Sequence, residues 1–493
     1  MRYEEIAEKL NLELIGRFPR DKLKENRLLP FRQESDYLYF LSDITPLLPV
    51  IDELAVYSGE KIKVKKIPDI LFEQLFSEYL AAPLETVEGM LGDLKAGMLD
   101  DFGKLDLDSS VENLEEMAQE APVIRLVNAM LTAAIKQGAS DIHLEPFESR
   151  LELRYRIDGV LYQNPAPPRE IFPAIATRIK IMARLNIAER RLPQEGRIRI
   201  KVLGRELDIR VSFISTLYGE SIVLRLLDRA AYLLELGNLG FAAETLATYL
   251  DLIQHTNGII LVAGPTGSGK TTTLYATLQQ LNSPEKKLIT VEDPVEYQLN
   301  GVNQIQVRPE IDLTFARGLR SILRQDPDII MIGEIRDLET AQIAIQAALT
   351  GHLVLATLHT NDASEAIIRL LNMGVEDYLL AATLKGVLAQ RLVRTLCPDC
   401  KTPLAEGGLK QEHLYQSRGC GKCNGIGYRG RTGIYELLAV NPMIEEQIIK
   451  QSNASALRAV ASKCGFKTLL ADGKEKVSRG ITTRQELLRV TRN

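Results

Sequence analysis

The alternation of apolar and polar residues along the chain changes its period twice. Residues 121–137 follow the 3.6-residue period of a helix, and 151–157 and 198–203 then alternate as strands of a half-buried sheet do. After residue 241, short apolar strands alternate with amphipathic helices, which is typical of a parallel sheet covered by helices. The pattern predicts an α/β protein in which an α+β domain precedes a parallel-sheet domain.

These changes of pattern predict three domains and two linkers. We expect a small N-terminal docking domain at 1–99, an acidic linker at 100–120, an α+β second domain at 121–229, a second linker at 230–240 and a nucleotide domain at 241–493. Within the nucleotide domain, 395–433 is predicted to be an insert and 434–493 to be small helices, the last of them behind a capping box at Thr483 and Glu486. The acidic linker carries eight acidic residues and one lysine, a composition that favours an extended chain with a helical turn near residues 112–117; a solvated helix face is the alternative.

Composition limits the function. The 493 residues include 60 Lys and Arg against 65 Asp and Glu, a net charge of −5, whereas a protein built to hold nucleic acid needs a basic excess. The apolar runs are too short to cross a bilayer, and the charged N-terminus does not have the pattern of a signal peptide. We therefore expect a cytoplasmic protein.

A glycine-rich segment follows the first apolar strand of the nucleotide domain and precedes a helix. It matches G-x-x-x-x-G-K-[ST], in which backbone N–H groups surround phosphates, Lys270 reaches the β- and γ-phosphates and Thr271 offers a hydroxyl to Mg²⁺. The segment therefore predicts nucleotide binding. The predicted binding residues are Gly264, Pro265, Thr266, Gly267, Ser268, Gly269, Lys270, Thr271 and Thr272.

Two acidic residues end the next apolar strands, at the edge where open α/β sheets bind ligands. Glu292 ends one strand, and Glu334 follows Gly333 where a Walker B strand usually ends in Asp. One carboxylate is expected to hold Mg²⁺ and the other to orient or deprotonate the attacking water. We assign Glu334 to the metal and Glu292 to the water; for each acid alone, a solvated strand end is the alternative.

A histidine and several arginines are candidates for contact with the phosphates. His359 follows a strand parallel to the phosphate-loop strand and is expected to face the γ-phosphate, although a lone histidine is more often structural. Phosphoryl transfer needs cations at the developing charge. Arg210 and Arg225 of the second domain could complete the site when the domains close, or could be merely solvated. Three further arginines lie in the nucleotide domain: Arg320, Arg324 and Arg336.

Four of the five cysteines form two Cys-x-x-Cys pairs separated by 19 residues. This spacing fits a closed four-thiolate zinc site, which is structural because no coordination position stays open. A redox dithiol is the alternative. The predicted ligands are Cys397, Cys400, Cys420 and Cys423, and the fifth cysteine, Cys464, is expected to be a buried core thiol.

The motifs together resemble those of the secretion traffic ATPases. GPTGSGKTTTLYATL, ITVEDPVEY, ILRQDPDIIMIGEIRD and TGHLVLATLHTNDA resemble the Walker A motif, Asp box, atypical Walker B motif and His box of that family. GASDIHLEPFESRLELRYRIDGVL and RLPQEGRIRI are similar to the signatures of its second domain. With the tetracysteine insert and the N-terminal module, the sequence most resembles the type II secretion ATPases.

The resemblance implies a RecA-like nucleotide domain that binds ATP, Mg²⁺ and Zn²⁺ and hydrolyses ATP. It also implies a homo-hexamer with ATP between subunit domains, working at the cytoplasmic face of the inner membrane. The implied partners are a bitopic inner-membrane protein bound by the N-terminal domain, a polytopic platform protein and acidic phospholipid. In the family, Lys270 is the Walker lysine, Glu334 the Walker B acid, and Arg210 and Arg225 the second-domain arginines that touch phosphates.

Other functions stay open at this stage. Pilus assembly ATPases share the motifs and the cysteines. A nucleic-acid translocase could use the same nucleotide core, but the net charge of −5 and the absence of interleaved aromatic and basic residues count against it. An ATP-regulated scaffold that barely hydrolyses ATP is the third alternative.

Overall fold

The structure is a computed structural model. It describes residues 14, 18, 22–23, 26–34, 37–76, 111–118, 120–202, 205–228, 235–404 and 414–492. These residues form four sheets, of three, six, seven and two strands in the order in which the sheets begin along the chain. The two-stranded sheet is inserted between the last two strands of the seven-stranded sheet. Residues 77–99 of the predicted docking domain, 100–110 of the acidic linker, 229 of the second domain and 230–234 of the second linker lie outside the described residues.

The described residues of the N-terminal part include a three-stranded sheet and helices that pack on it. Its elements are β1 (Leu29–Glu34), β2 (Tyr37–Ser42), α1 (Leu48–Ser58), β3 (Lys61–Lys66) and α2 (Asp69–Phe76). The sheet has the order β1-β2-β3, with β1 antiparallel and β3 parallel to β2. Phe31, Phe40 and Phe72 fill a small core of their own, so this part buries its apolar residues locally.

The next part is an antiparallel sheet with helices on one face. Its elements are α3 (Val111–Ala118), α4 (Ala121–Lys136), β4 (Ala139–Pro146), β5 (Leu151–Ile157), β6 (Val160–Asn164), α5 (Phe172–Ala183), β7 (Gln194–Val202), β8 (Arg205–Thr216) and β9 (Gly219–Asp228). The strand order is β6-β5-β4-β9-β8-β7. Helix α3 includes the helical turn predicted within the acidic linker, and its Leu114 and Ala118 are buried, so this part of the linker is packed helix rather than extended chain.

The third part contains a seven-stranded sheet. It begins with α6 (Ala243–Leu252), β10 (Gly258–Ala263), α7 (Lys270–Leu281), β11 (Leu288–Glu292), β12 (Val302–Gln306), α8 (Phe315–Ile322), β13 (Ile329–Ile332), α9 (Leu338–Leu349) and β14 (Leu353–Leu358). It continues with α10 (Ala363–Asn372), α11 (Asp377–Thr383), β15 (Leu384–Leu396), β16 (Lys401–Pro403), β17 (Tyr415–Ser417), β18 (Tyr428–Ala439), α12 (Pro442–Ile449), α13 (Ala454–Lys463), α14 (Leu469–Ser478) and α15 (Arg484–Thr491). The large sheet has the order β12-β11-β13-β14-β10-β15-β18, and only the edge strand β18 is antiparallel to its neighbour.

Three sequence predictions about the C-terminal part are wrong. Residues 434–439 belong to strand β18, not to helices. This strand is stabilised by pairing with β15, which is distant in the sequence, so the local pattern of apolar residues does not reveal it. Thr483 caps α15 by accepting from the Glu486 N–H, but the Glu486 carboxylate does not return to close a capping box: it accepts from Arg394 and Arg489. Cys464 is exposed at the end of α13 and is not a core thiol.

Candidate active site and metal centre

The phosphate loop connects the central strand β10 to helix α7. Its three glycines have positive φ angles: 153° at Gly264, 77° at Gly267 and 87° at Gly269. A Cβ atom on Gly264 would lie 2.6 Å from the Gln390 carbonyl oxygen, so only glycine fits there. The Ser268 Oγ atom is buried without a hydrogen-bond partner. A tight loop with an unsatisfied buried hydroxyl at a helix N-terminus fits a bound phosphate.

Lys270 is 8% exposed and bends back onto its own loop. Its Nζ donates to the carbonyl oxygens of Gly264 at 2.8 Å and Pro265 at 3.0 Å. Burial lowers the pKa of Lys270 to about 8, and the nearby Glu334 carboxylate opposes this shift. The ammonium group is therefore held by neutral acceptors that a phosphate could replace.

The two predicted acids have different surroundings. Glu292 is buried at the end of β11, where it accepts from Tyr275, from Thr290 at 2.5 Å and from Gln304 at 3.1 Å, and burial raises its pKa. The sequence did not predict the residues that donate hydrogen bonds to Glu292. Tyr275 has the pattern of an ordinary core residue of α7, and Gln304 lies on β12, a strand that was not predicted.

Glu334 follows β13 and contacts Arg336 and His359. One carboxylate oxygen pairs with Arg336, and the other lies 3.3 Å from Nε2 of His359. Burial, followed by the charge of Lys270, lowers the pKa of His359, so its ring tends to be neutral at pH 7. The structure thus brings Lys270, Glu334 and His359 to the same edge of the sheet, at the ends of three neighbouring strands.

A cavity of about 920 Å³ opens in front of the phosphate loop and is lined by both large domains. The second domain contributes residues including Asp141, Arg156 and Arg225, and the C-terminal part contributes Arg431 and Arg489. Asp141 and Arg156 belong to the second-domain signature, but the local pattern does not distinguish their charges, or that of Arg489, from solvated ones. Strand pairing brings Asp141 and Arg156 here, and the packing of helix α15 brings Arg489.

The predicted arginines do not all reach this cavity. Arg225 lines it, whereas Arg210 bridges the two domains beside it, donating to the Val295 carbonyl oxygen at 3.1 Å and lying 3.2 Å from Glu296. Of the other three candidates, Arg336 joins the site through Glu334, while Arg320 pairs with Glu339 at 2.6 Å and Arg324 lies near Ser321. Arg320 and Arg324 are not among the residues that line the cavity.

The two Cys-x-x-Cys pairs meet between β15 and β18. All four Sγ atoms lie within 4.8 Å of one another, and neighbouring Sγ atoms are 3.7 to 3.9 Å apart. Four thiolates about 2.3 Å from one zinc ion in a tetrahedron are separated by roughly 3.8 Å, whereas a disulfide needs about 2 Å. The cluster, formed by Cys397, Cys400, Cys420 and Cys423, therefore fits a structural zinc ion.

Backbone donors support the second cysteine pair. The N–H groups of Cys420 and Gly427 lie 3.1 and 3.2 Å from the Cys423 Sγ. Burial raises the pKa of this thiol, but these donors, together with hydrogen bonds from the Cys420 and Cys400 thiols, outweigh burial and lower the pKa to about 7. Such donors favour the thiolate form that a metal requires.

Comparison with known proteins identifies the family of the chain. The family described as "Type II/IV secretion system protein" matches residues 116–489, which is most of the chain. The chain belongs to this secretion family. Its matched region begins in α3 and ends in α15, so it contains the second domain, the phosphate loop and the cysteine cluster.

Several curated relatives of this family member are similar over most of their length. The type II secretion system ATPase E of Vibrio cholerae is 49% identical over 432 residues, 85% of this chain and 86% of the relative. The type II secretion system protein HxcR of Pseudomonas aeruginosa is 52% identical over 396 residues, 79% and 83% of the two chains. The type IV pilus assembly ATPase PilB of Myxococcus xanthus is 43% identical over 493 residues, 97% and 86%.

Solved structures agree with a RecA-like fold for this secretion protein. The pilus retraction motor PilT with bound ADP is 28% identical, covers 74% of this chain and 97% of its own, and superposes with a TM-score of 0.53. The Legionella pneumophila ATPase DotB, at 22% identity and a TM-score of 0.57 over 74% and 94%, shares the fold. Among the described helices of the secretion protein, none combines the length and apolarity that crossing a membrane requires.

Proposed function

We propose that this chain hydrolyses ATP as the motor of a type II protein secretion system. The observation that carries the proposal is the cavity in which the phosphate loop faces Arg225 of the second domain. A triphosphate in this cavity would touch both domains, so its binding would favour their closure and its hydrolysis would weaken the contact. Domain closure, repeated around a ring, is the motion we assign to the motor.

In this proposal, each predicted residue has a role that matches its surroundings. Lys270 leaves its loop carbonyls to bind the β- and γ-phosphates. Thr271 and Glu334 offer the oxygen ligands that Mg²⁺ prefers. To hold the metal, Glu334 would give up its contact with Arg336 or with His359. The bound Mg²⁺ would neutralise charge on the phosphate oxygens. His359, beside Glu334, is placed to respond to the state of the γ-phosphate.

Glu292 is our candidate for orienting the attacking water. Its raised pKa suits a general base, since proton acceptance is most effective when the pKa lies near the working pH. Both carboxylate oxygens accept hydrogen bonds in this structure, so Glu292 must release Tyr275 or Gln304 to reach a water molecule. Arg210 and Arg225 supply positive charge from the second domain, Arg225 inside the cavity and Arg210 at its border.

We further propose that the cysteine cluster holds one structural Zn²⁺. The Sγ spacing, the backbone donors and the position of the cluster between two paired strands support this. A metal here would fix the segment between β15 and β18, whose Ile426 packs against the core of the second domain.

The names of the relatives support an assembly with the same task. We propose a homo-hexamer that works on the cytoplasmic face of the inner membrane, without nucleic acid, and drives assembly of a pseudopilus. The N-terminal domain would bind the cytoplasmic domain of a bitopic inner-membrane protein, and the ring would contact a polytopic platform protein and acidic phospholipid. Pilus assembly is the alternative, because a pilus assembly ATPase is 43% identical across 97% of this chain.

The experiment compares ATP turnover of the intact protein, with its membrane partner and acidic lipid, against Lys270→Ala and Glu334→Gln. We expect both variants to lose turnover, with Glu334→Gln still binding ATP. Equal turnover in the wild type and Lys270→Ala would refute the motor. Complementation of the source bacterium lacking this gene separates the alternatives: restored protein secretion supports the first function, and restored pili alone support the second.

A further inference from the structure

The sheet of the second domain has one apolar and one charged face. Ile142 and Leu144 of β4 point into the core under the helices, whereas Asp141, His143 and Glu145 share the opposite face. Part of this charged face closes the cavity opposite the phosphate loop. The charges on β4 therefore divide into those that face the cavity and those that do not.

Asp141 lies between two arginines. Strand β4 pairs with β5 on one side and with β9 on the other, and the register places Asp141 opposite Arg156 of β5 and opposite Arg225 of β9. The three residues are 15 and 69 positions apart along the chain, so only the sheet brings them together. All three line the cavity, together with Ser140.

The contacts centre on the Asp141 carboxylate. Arg225 donates from Nε to Oδ1 at 3.1 Å, Ser140 donates to Oδ2 at 2.7 Å, and the Arg156 Nε lies 3.8 Å from Oδ2. Asp141 is 7% exposed, whereas the side chains of Arg156 and Arg225 are 36% and 59% exposed. The carboxylate is thus buried beneath the guanidinium groups, whose outer parts stay open to the cavity.

This arrangement restrains two arginines in the region that a phosphate would enter. A long arginine side chain loses rotamer entropy when it binds, and a fixed carboxylate beneath it removes part of that cost beforehand. Both contacts to Asp141 use Nε, which leaves terminal N–H groups for another acceptor; on Arg156, Nη1 also donates to the Gly159 carbonyl oxygen at 3.1 Å. The single negative charge also reduces the repulsion between the two cations.

We propose that Asp141 is a positioning residue that holds Arg156 and Arg225 toward the phosphates of the nucleotide, and that Arg156 is a further phosphate-binding arginine. The inference rests on the proposed ATPase function, and it assigns roles to two residues of the second-domain signature that were not among the predicted site residues. Arg225 supplies charge to the transferred phosphoryl group, Arg156 supports it from β5, and Asp141 acts only through these two side chains.

The first test is Asp141→Asn, which keeps the size of the side chain and removes its charge. We expect kcat to fall at least tenfold, as for loss of one preorganised electrostatic contact, with KM for ATP changed less than about threefold. Glu145→Gln is the matched control, because Glu145 shares the strand and face and pairs with Arg154 across to β5, but does not line the cavity. Its kcat should stay within twofold of the wild type.

A double-mutant cycle separates positioning from a general loss of structure. If Asp141 acts through Arg225, Asp141→Asn should lower kcat much less in an Arg225→Ala background than in the wild type. Equal factors in both backgrounds, or an unchanged or increased kcat in folded Asp141→Asn protein, would overturn the proposal. Arg156→Gln, at a more exposed side chain, tests the same contact if Asp141→Asn does not fold, and it should also lower kcat.

Binding measurements keep this inference separate from the motor function. Asp141→Asn and Arg156→Gln should weaken binding of a slowly hydrolysed ATP analogue more than binding of ADP, measured by calorimetry with Mg²⁺. That comparison needs no turnover, so it tests the positioning even if the wild-type protein hydrolyses no ATP and the motor proposal fails. Equal losses for the two nucleotides would contradict a contact with the terminal phosphate.

Discussion

Arg394 donates a hydrogen bond from Nη1 to the phenolic oxygen of Tyr162 at 2.7 Å, across a separation of 232 residues. Tyr162 lies on β6 of the second domain, and Arg394 on β15 of the large sheet. The same guanidinium packs over the Tyr428 ring, 4.1 Å from its centroid, and pairs with the buried Glu486 at 2.9 Å. One arginine thus connects the second domain, the base of the cysteine segment and the last helix.

Removing the Tyr162 hydroxyl should loosen this connection. Tyr162→Phe leaves a largely buried Arg394 donor without its partner, a loss of about 1 kcal/mol. For domains of this size, that corresponds to a fall in melting temperature of about 2–4 °C, measured by scanning calorimetry. Tyr218→Phe, in the turn between β8 and β9, is the control and should melt with the wild type. Identical melting of both variants would mean that the contact adds nothing to stability.

The ion pairs of Glu486 should make the stability of the fold depend on pH. Burial raises its pKa, but Arg489 and Arg394 outweigh burial and lower it to about 2, from 4.5. A lowered folded-state pKa stabilises the protein above about pH 4.5, and this contribution, about 3 kcal/mol, is lost as the pH falls toward 2.

The test compares Glu486→Gln with the wild type by urea unfolding. The variant should be less stable by about 3 kcal/mol at pH 7, and the difference should shrink as the pH approaches 3. Glu446→Gln removes an exposed pair with Lys450, which solvent screens, so it should change the stability little at either pH. A constant difference from pH 7 to pH 3 would exclude a titrating ion pair as the cause.

Local sequence was sufficient to predict what depends on contiguous residues. The phosphate loop has its own signature, since Gly264, Gly267 and Gly269 adopt positive φ angles within a segment of six residues. The cysteine pairs likewise carry their spacing in the sequence. The short apolar strands around the loop were predicted because each of them is buried on both faces of the sheet.

Features that depend on distant pairing were not predictable. Strand β18 pairs with β15 at the edge of the sheet, so buried and exposed residues are mixed along it. This mixture was interpreted as the start of the C-terminal helices. Asp141 and Arg156 look like solvated charges until the register of β4 places them at the cavity. Glu486 fits a capping box in sequence, but Arg394, 92 residues away, provides a stronger partner for its carboxylate.

The lowered pKa of Lys270 should make the affinity for nucleotide depend on pH. A phosphate binds the protonated ammonium, and burial has lowered the pKa of this group to about 8. Binding of ATP should therefore be independent of pH below about 7 and weaken by up to tenfold per pH unit above 8. Calorimetric titrations with an ATP analogue from pH 6.5 to 9.5 measure this slope. Lys270→Arg stays charged throughout, so any binding that it retains should be flat, and a flat wild-type profile would contradict the shifted pKa.

The cysteine cluster predicts one zinc ion per chain. The Sγ spacing of 3.7 to 3.9 Å already matches a tetrahedral site, so zinc should bind without rearrangement and hold the segment between β15 and β18. Elemental analysis of protein purified without added metal should give a zinc to protein ratio near one. Cys397→Ser should lower this ratio and expose the segment to protease, whereas Cys464→Ser, at an exposed cysteine outside the cluster, should keep it. Absence of zinc from the wild type, or equal zinc in both variants, would exclude the site.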